Sequence, residues 1–463
     1  LHSTSRRQRQ MCIRDRFFTI IFTLIALIMM PMNFLLAADI DNGNFNPDNL
    51  TTNSPSVLLM DASSGNLLYA KNIFEKKYPA STTKLMTAIL ALENCKLDDV
   101  ATVSRNAIFS IPVGYSHASL KEGEELTIEQ LLNVLLIPSA NDAAIVLAEH
   151  IAGSVEKFAD MMNAKAKELG CLNTHFVNPN GVHDDNHYST AYDMALIGRY
   201  AMKFDDITRI SMVTQYTLPK TNKYNKEDRI FNTTNGLVTK NDEYYYPEAI
   251  GLKTGYTDKS GYCIVTSAKK GDVELLEVVM GSDTIDDRYS DCIKLFDYGF
   301  ENYSYQNLVS SSELIDTIEV DGATKETKSL DIVAKSDIDI LLKNNIDVNG
   351  IEPSIEINDN ISAPVSEGAV VGKISFEIDG KTYSTDLIAN EDVEATNFET
   401  IVFRVLLIFL ILYLLVIILK KINKPHDRNS NMKSTRHSKT KKAKRIKSKK
   451  GGRYKFTQIS EYL

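Results

Sequence analysis

The stretch Tyr78-Pro79-Ala80-Ser81-Thr82-Thr83-Lys84-Leu85-Met86-Thr87-Ala88 sets a hydroxyl and an amine three residues apart at the head of an apolar run. Three residues is close to one helical turn, so a helix opening at Ser81 projects Lys84 beside it. The same opening puts the Ser81 hydroxyl at the positive end of the helix dipole. A lysine that begins a buried helix can lose its proton through desolvation and act as a base toward its neighbour. The plainer reading makes Ser81 an N-cap, a role serine commonly takes. Spacing alone does not decide between them, because Ser154/Lys157, Ser267/Lys270, Ser430/Lys433 and Ser438/Lys441 share it.

Two further strings shift the balance. Ser139-Ala140-Asn141 lies between the apolar run 131–136, closed by Pro138, and a helix opening at Asp142. A loop there presents a hydroxyl and an amide into a cleft, with helix capping as the alternative. The look-alike Ser64-Gly65-Asn66 belongs to a turn. Lys253-Thr254-Gly255 follows Ile250-Gly251-Leu252 and reads as strand, with Lys253 and Gly255 on one side. Gly255 either lets a substrate backbone approach closely or ends the strand. Together the three strings bring two hydroxyls, two amines and an amide into contention for one cleft.

Outward from these strings, residues 57–60 and 67–70 flank a turn and read as a β-hairpin. Helices are expected over 85–92, 127–136, 142–151, 155–169 and 189–202. Strands follow at 264–268 and 273–280, then a closing helix at 286–300. Strands at both ends with helices between imply one sheet assembled from distant segments. Beyond about Tyr303 short β-like pieces (317–320, 330–334, 369–378, 381–388) sit among acidic turns, which reads as a separate all-β domain.

The net charge of −8 conceals an asymmetry. From Lys420 onward the chain carries sixteen Lys/Arg against Asp427 and Glu461, leaving roughly −27 on residues 39–400. An acidic body excludes nucleic acid as the expected partner. Residues 17–38 are apolar, follow Arg6, Arg7, Arg9, Arg14 and Arg16, and end in Ala37-Ala38, the pattern of a secretory signal. An uncleaved anchor is the alternative, and residues 1–16 are given no structural meaning. Residues 401–419 hold one charge, Arg404, and would span roughly 28 Å as a helix, close to a bilayer core. Lys420, Lys421 and Lys424 follow, so the basic tail is placed in the cytoplasm and the acidic body outside. The expected plan is an uncertain start plus signal over 1–38, a polar linker 39–53, a first domain 54–303, a β domain 304–392, a transmembrane helix 401–419 and a cytoplasmic tail 420–463. Cys12, Cys95, Cys171, Cys263 and Cys292 show no metal-ligand spacing; buried thiols and one or two disulfides are both open. His183 and His187 beside Asp184 and Asp185 read as a polar loop rather than a metal site.

With the motifs in hand, the chain resembles the low-molecular-mass penicillin-binding proteins of the D-alanyl-D-alanine carboxypeptidase family, peptidase S11. The likeness lies in residues 79–88 and in Ser139-Ala140-Asn141-Asp142-Ala143-Ala144. It continues in Asn178-Pro179-Asn180-Gly181, in residues 187–195 and in Gly251-Leu252-Lys253-Thr254-Gly255-Tyr256-Thr257. It covers roughly residues 54–300, and the stretch to about 390, best at 363–372, resembles the family's C-terminal domain. The resemblance implies an α+β, β-lactamase/transpeptidase-like fold, an antiparallel sheet flanked by helices, followed by the small all-β domain and the membrane helix. It also implies a serine carboxypeptidase that needs no cofactor or metal, acts on the peptidoglycan stem pentapeptide and binds β-lactam antibiotics at the cell membrane. Ser81 would be acylated at the penultimate D-Ala carbonyl, Lys84 would be the base, and Ser139 would relay the proton to the leaving amine. Asn141 would hold the substrate amide, Lys253 and Thr254 the terminal carboxylate, and the backbone N–H groups of Ser81 and Tyr256 the oxyanion. Arg288 lies where the family often faces that carboxylate, with a solvated helix charge as the other reading.

Thr234 departs from members that carry Arg before the corresponding Asn-Gly, here Asn235-Gly236. The insert 240–247, with Tyr244, Tyr245 and Tyr246, lines the cleft or caps a hairpin. The competing functions are a β-lactamase and a non-catalytic, membrane-tethered wall-binding protein. Ala140, where class A β-lactamases carry Asp, argues against the first. The complete set of motif residues argues against the second.

Overall fold

The computed structural model of the chain describes residues 43–378, 380–396 and 398–422. The secretory-signal reading of 1–38 and the tail beyond 422 lie outside the described residues. The first part of the chain runs β1 (Ser56–Asp61), β2 (Leu67–Lys71), a 3-10 turn (Ala80–Thr83), α1 (Lys84–Asn94), β3 (Val100–Thr102), α2 (Arg105–Phe109) and β4 (Glu125–Thr127). Then come α3 (Ile128–Leu136), α4 (Asn141–Ala152), α5 (Val155–Glu168), α6 (Ala191–Ala201), α7 (Asp205–Ser211), β5 (Gln215–Leu218) and β6 (Arg229–Asn232). The antiparallel meander β7 (Ala249–Thr257), β8 (Gly261–Lys270) and β9 (Val273–Ser282) precedes α8 (Ile285–Asn302).

The sheet order is β2-β1-β9-β8-β7, so the early hairpin docks on the last strand of the meander. All pairings are antiparallel. Side chains alternate across each strand and serve two cores. Leu58, Met60, Val265, Leu276 and Val278 face the helical layer. Val57, Leu59, Ile264, Leu275 and Val279 face Leu295 and Phe296 of α8. With both faces covered, every residue of β1 is buried. α1 is buried from Lys84 to Ala91, the condition of a helix running through a core rather than over it.

Local signals start the other helices. Thr127 and Gln130 form a reciprocal capping box at α3. At α8 the Thr284 hydroxyl accepts from Asp287 N, and Asp286 and Asp287 complement the dipole. Part of the polar segment expected to be a linker is tied down: Phe45 pairs with Ala70, and the Asn53 and Ser54 amides donate to the Asp291 carboxylate.

The second part contains β10 (Tyr303–Val309), β11 (Leu314–Glu319), β12 (Ser329–Ala334), β13 (Ile338–Lys343), β14 (Ser354–Ile357), β15 (Val370–Ile378) and β16 (Lys381–Ala389). Five of these form a sheet ordered β11-β12-β16-β15-β14, and β10 pairs with β13. Leu330, Ile332, Ile374, Phe376 and Leu387 form its core. This part packs on the first through Tyr303 and Leu341, which join the core under α8, and through polar contacts: Tyr305 Oη donates to Asp61, Asn66 Nδ2 donates to Tyr383 Oη, and Lys343 pairs with Asp48. The described residues up to Ala395 form one compact unit. In the second unit, α9 (Phe398–Ile422) contains a 21-residue stretch, Ile401–Lys421, long and apolar enough to cross a membrane, with exposed side chains throughout.

Candidate active site

The turn that carries Ser81 is tight. Ala80 adopts φ +48°, and the Thr82 hydroxyl donates to Pro79 O at 2.6 Å. The helix expected to open at Ser81 begins instead at Lys84, after a 3-10 turn. Two glycines explain the geometry. A Cβ on Gly181 would overlap the Ala80 carbonyl oxygen, and Gly181 has φ +79°. A Cβ on Gly255 would lie 3.0 Å from both Pro79 O and Ser81 N. The close approach that Gly255 permits is therefore made by the chain's own Ser81 turn, which is wedged between the Asn178–Gly181 loop and β7.

Lys84 is fully buried, and its Nζ lies 2.8 Å from Ser81 Oγ, 2.8 Å from Asn141 Oδ1 and 2.7 Å from Asn180 O. Burial, and then the nearby Lys253, hold its pKa well below the ordinary lysine value, while Asp142 opposes them. A neutral amine has two N–H donors and one lone pair. Nζ donates to Asn141 Oδ1, Asn180 O and Ser81 Oγ; in the neutral form the first two would take both N–H groups and the lone pair would face the Ser81 hydroxyl. Asn141 is itself oriented by Nδ2, which donates to Ser116 O at 2.8 Å. Both ends of its amide are thus engaged by the protein. The segment that supplies Ser116 O is pinned at Ala118 and Leu120, whose amides donate to the buried Asp142 carboxylate. Arg229, paired with the buried Glu124, donates to Ala118 O and Ser119 O.

Ser139 links α3 to α4, is 5% exposed and holds φ +66°. A left-handed conformation costs a non-glycine residue about 1–2 kcal/mol. The Ala140 N–H bond to Val134 O, 2.9 Å, helps hold it.

Lys253, Thr254, Gly255 and Tyr256 lie on β7, the terminal strand of the sheet. Lys253 is 1% exposed and donates to Thr254 O at 2.9 Å. Burial, then the Arg288 charge, bring its pKa down to about 7. Thr254 Oγ1 lies 2.6 Å from Thr234 Oγ1, so the threonine at the position noted for its missing arginine bonds the motif threonine. Tyr256 is half exposed and donates to Asp258. Arg288 is not a solvated helix charge: it is 4% exposed, with its guanidinium carbon 4.1 Å from the Tyr289 ring centroid and 5.4 Å from that of Tyr262. Tyr244 of the insert stacks on the other partner, Tyr289, at 4.6 Å, and Tyr246 joins the core under α8.

Asn180, Ser116 and Tyr289 escaped the sequence reading of the site. Asn180 had a signal in Asn178-Pro179-Asn180-Gly181; Ser116 acts through its carbonyl and had none. His187 Nε2 bonds Thr83 Oγ1 at 2.8 Å, and burial pushes its pKa down to about 3. His183 pairs with Asp185 at 3.3 Å. Among the described residues no group of three or more His, Cys, Asp and Glu is arranged to hold a metal, and Cys95, Cys171, Cys263 and Cys292 are free thiols.

Residues 44–284 match the D-alanyl-D-alanine carboxypeptidase family (Peptidase_S11), and residues 303–395 match the penicillin-binding protein 5 C-terminal domain. The chain is 33% identical over 388 residues to D-alanyl-D-alanine carboxypeptidase DacF of Bacillus subtilis, covering 82% of this chain and 96% of that protein. It is 30% identical to D-alanyl-D-alanine carboxypeptidase DacA of Escherichia coli, over 79% of this chain and 90% of that one. Penicillin-binding protein 5 of Haemophilus influenzae superposes with a TM-score of 0.62 at 29% identity, covering 76% of this chain and 99% of that structure. The α+β expectation with a following β domain agrees with that fold. The chain belongs to the D-alanyl-D-alanine carboxypeptidase family, the serine peptidases of family S11.

Proposed function

We propose that this chain is a membrane-anchored serine D-Ala-D-Ala carboxypeptidase that removes the terminal D-alanine of peptidoglycan stem pentapeptides through an acyl-enzyme on Ser81. The observation that carries the reading is the Lys84 environment: two N–H acceptors and a hydroxyl around a buried amine. Neutral Lys84 takes the Ser81 proton as Oγ attacks the penultimate D-Ala carbonyl. The Ser81 and Tyr256 N–H groups receive the oxyanion. Lys84 then passes the proton by way of Ser139 to the leaving D-alanine nitrogen, and water cleaves the ester. Thr254, Lys253 and Arg288 face the terminal carboxylate; that anion in turn favours protonated Lys253, whose pKa of about 7 leaves it free to respond. β-Lactams enter by the same acylation.

The 401–421 span is read as the anchor, with the acidic body outside and the basic tail in the cytoplasm. The test is D-Ala release by the full chain in mild detergent from a peptide ending in D-Ala-D-Ala. Wild-type chain releases D-alanine and Ser81→Ala does not. Release by Ser81→Ala at the wild-type rate overturns the reading.

A further inference from the structure

A cavity of about 390 Å³ opens beside the nucleophile turn, walled by Lys76, Lys77, Tyr78, Tyr188, Lys259 and Ser260, with Asp185 at one side. Its wall is drawn from three places: the segment leading into Ser81, the loop after Asn178–Gly181, and the turn that joins β7 to β8. Tyr78 precedes Ser81 by three residues, so at most ~11 Å of chain separates cavity wall from nucleophile. The Tyr78 carbonyl also lies 3.6 Å from Cys263 Sγ, and Cys263 is the register partner of Gly255.

The charge of the wall is uneven. Lys77 is neutralised by Glu75 at 2.7 Å, and Asp185 is engaged by His183 at 3.3 Å. Lys76 and Lys259 are exposed and form no ion pair among the described residues. The Lys76 ammonium sits 4.1 Å from the centroid of the Tyr188 ring. Two cations and two tyrosine faces thus border a hollow that lies where β7 runs out. A peptide laid along the free edge of β7, its terminal carboxylate at Thr254, continues past Tyr256 toward this hollow at about 3.3 Å per residue.

We propose that the cavity is a subsite for a carboxylate borne by the substrate within three residues upstream of the scissile bond. The inference rests on the carboxypeptidase reading of the Ser81 site. Lys76 and Lys259 supply the charge, and the tyrosine rings flank the peptide stem.

The test uses the full chain and matched peptides ending in D-Ala-D-Ala, one with a free carboxylate at an upstream residue and one with the primary amide there. Wild-type kcat/KM favours the acid roughly threefold to tenfold, the range of one or two partly exposed ion pairs, and the preference shrinks with salt. In the double variant Lys76→Gln, Lys259→Gln the ratio falls to about one, with melting curves reporting that the fold is kept. An acid-to-amide ratio of one in the wild type, or an undiminished ratio in the double variant, overturns the subsite. Competition by a glycerol phosphate oligomer without any acid preference assigns the cavity to a phosphate polymer and likewise overturns it. Release of D-alanine from the amide peptide by the wild type reports separately on the carboxypeptidase reading.

Discussion

Replacing Asn141 by Asp changes one atom of the Lys84 cage and should change the pH at which the enzyme works. Asn141 Oδ1 stands 2.8 Å from Lys84 Nζ, and Nδ2 stands 2.8 Å from Ser116 O. Asn141→Asp keeps the shape, places an anion against the buried amine and sets an acceptor against the Ser116 carbonyl. A carboxylate this close favours an ammonium by about 1.5–4 kcal/mol. Below both midpoints the neutral fraction of Lys84 then falls roughly 10- to 1,000-fold, and between them the loss shrinks about tenfold per pH unit. The assay is the second-order rate constant for acylation by a fluorescent penicillin between pH 6 and 10. The variant should be slow at pH 7 and recover about tenfold per pH unit, while the wild type, whose Lys84 is held well below the ordinary lysine value by burial and Lys253, should show a much shallower profile. A variant slowed equally at every pH, or not slowed at all, refutes the idea that Lys84 works as a neutral base.

Three further outcomes follow from the packing and charge of the site. Gly181→Ala forces a Cβ into the Ala80 carbonyl at a positive φ and should lower stability by about 1–3 kcal/mol or more, read as a fall in the denaturation midpoint with weaker penicillin labelling. Thr234→Val removes the hydroxyl partner of Thr254 and should raise KM for D-Ala-D-Ala peptides about threefold to tenfold with a smaller change in kcat. Lys253, brought from 10.5 to about 7, is neutral in the folded chain and protonated in the unfolded chain between those values. The unfolded state binds the extra proton there, so this group makes stability rise with pH across that window, by up to about 1.4 kcal/mol per unit. Arg288→Gln removes the second cause of the depression and should move the onset of that rise to higher pH, measured by urea unfolding from pH 7 to 10.

What the sequence made legible was local or repeated. Ser81 and Lys84 are one turn apart, and a run apolar but for Thr87 marks α1 as a core helix. Lys253 and Gly255 alternate on a strand, and the hairpin, the meander and α8 each carry their own periodicity. What it concealed depends on distance or on the backbone. Arg288 reaches Lys253 only because α8 folds back under the sheet. The second N–H acceptor of Lys84 is a carbonyl, at Asn180, which any residue type could supply. The tie of Asn141 Nδ2 to Ser116, 25 residues earlier, is likewise to a backbone carbonyl that leaves no mark in the sequence. β14 is short and half polar, and β10 and β13, the latter largely apolar, form only through a pairing across roughly thirty to forty residues. Gly255 and Gly181 are small because the Ser81 turn presses on both, a constraint that lies between segments and not within either.

The most direct test of the account is to trap the acyl-enzyme. Full chain treated with benzylpenicillin and read by intact mass, then by peptide mapping, should carry one penicilloyl group on the peptide containing Ser81. Ser81→Ala should carry none, and Lys84→Ala should acquire the same adduct far more slowly. A stable adduct at any other residue, or labelling that survives Ser81→Ala, would contradict the claim that Ser81, activated by Lys84, is the nucleophile.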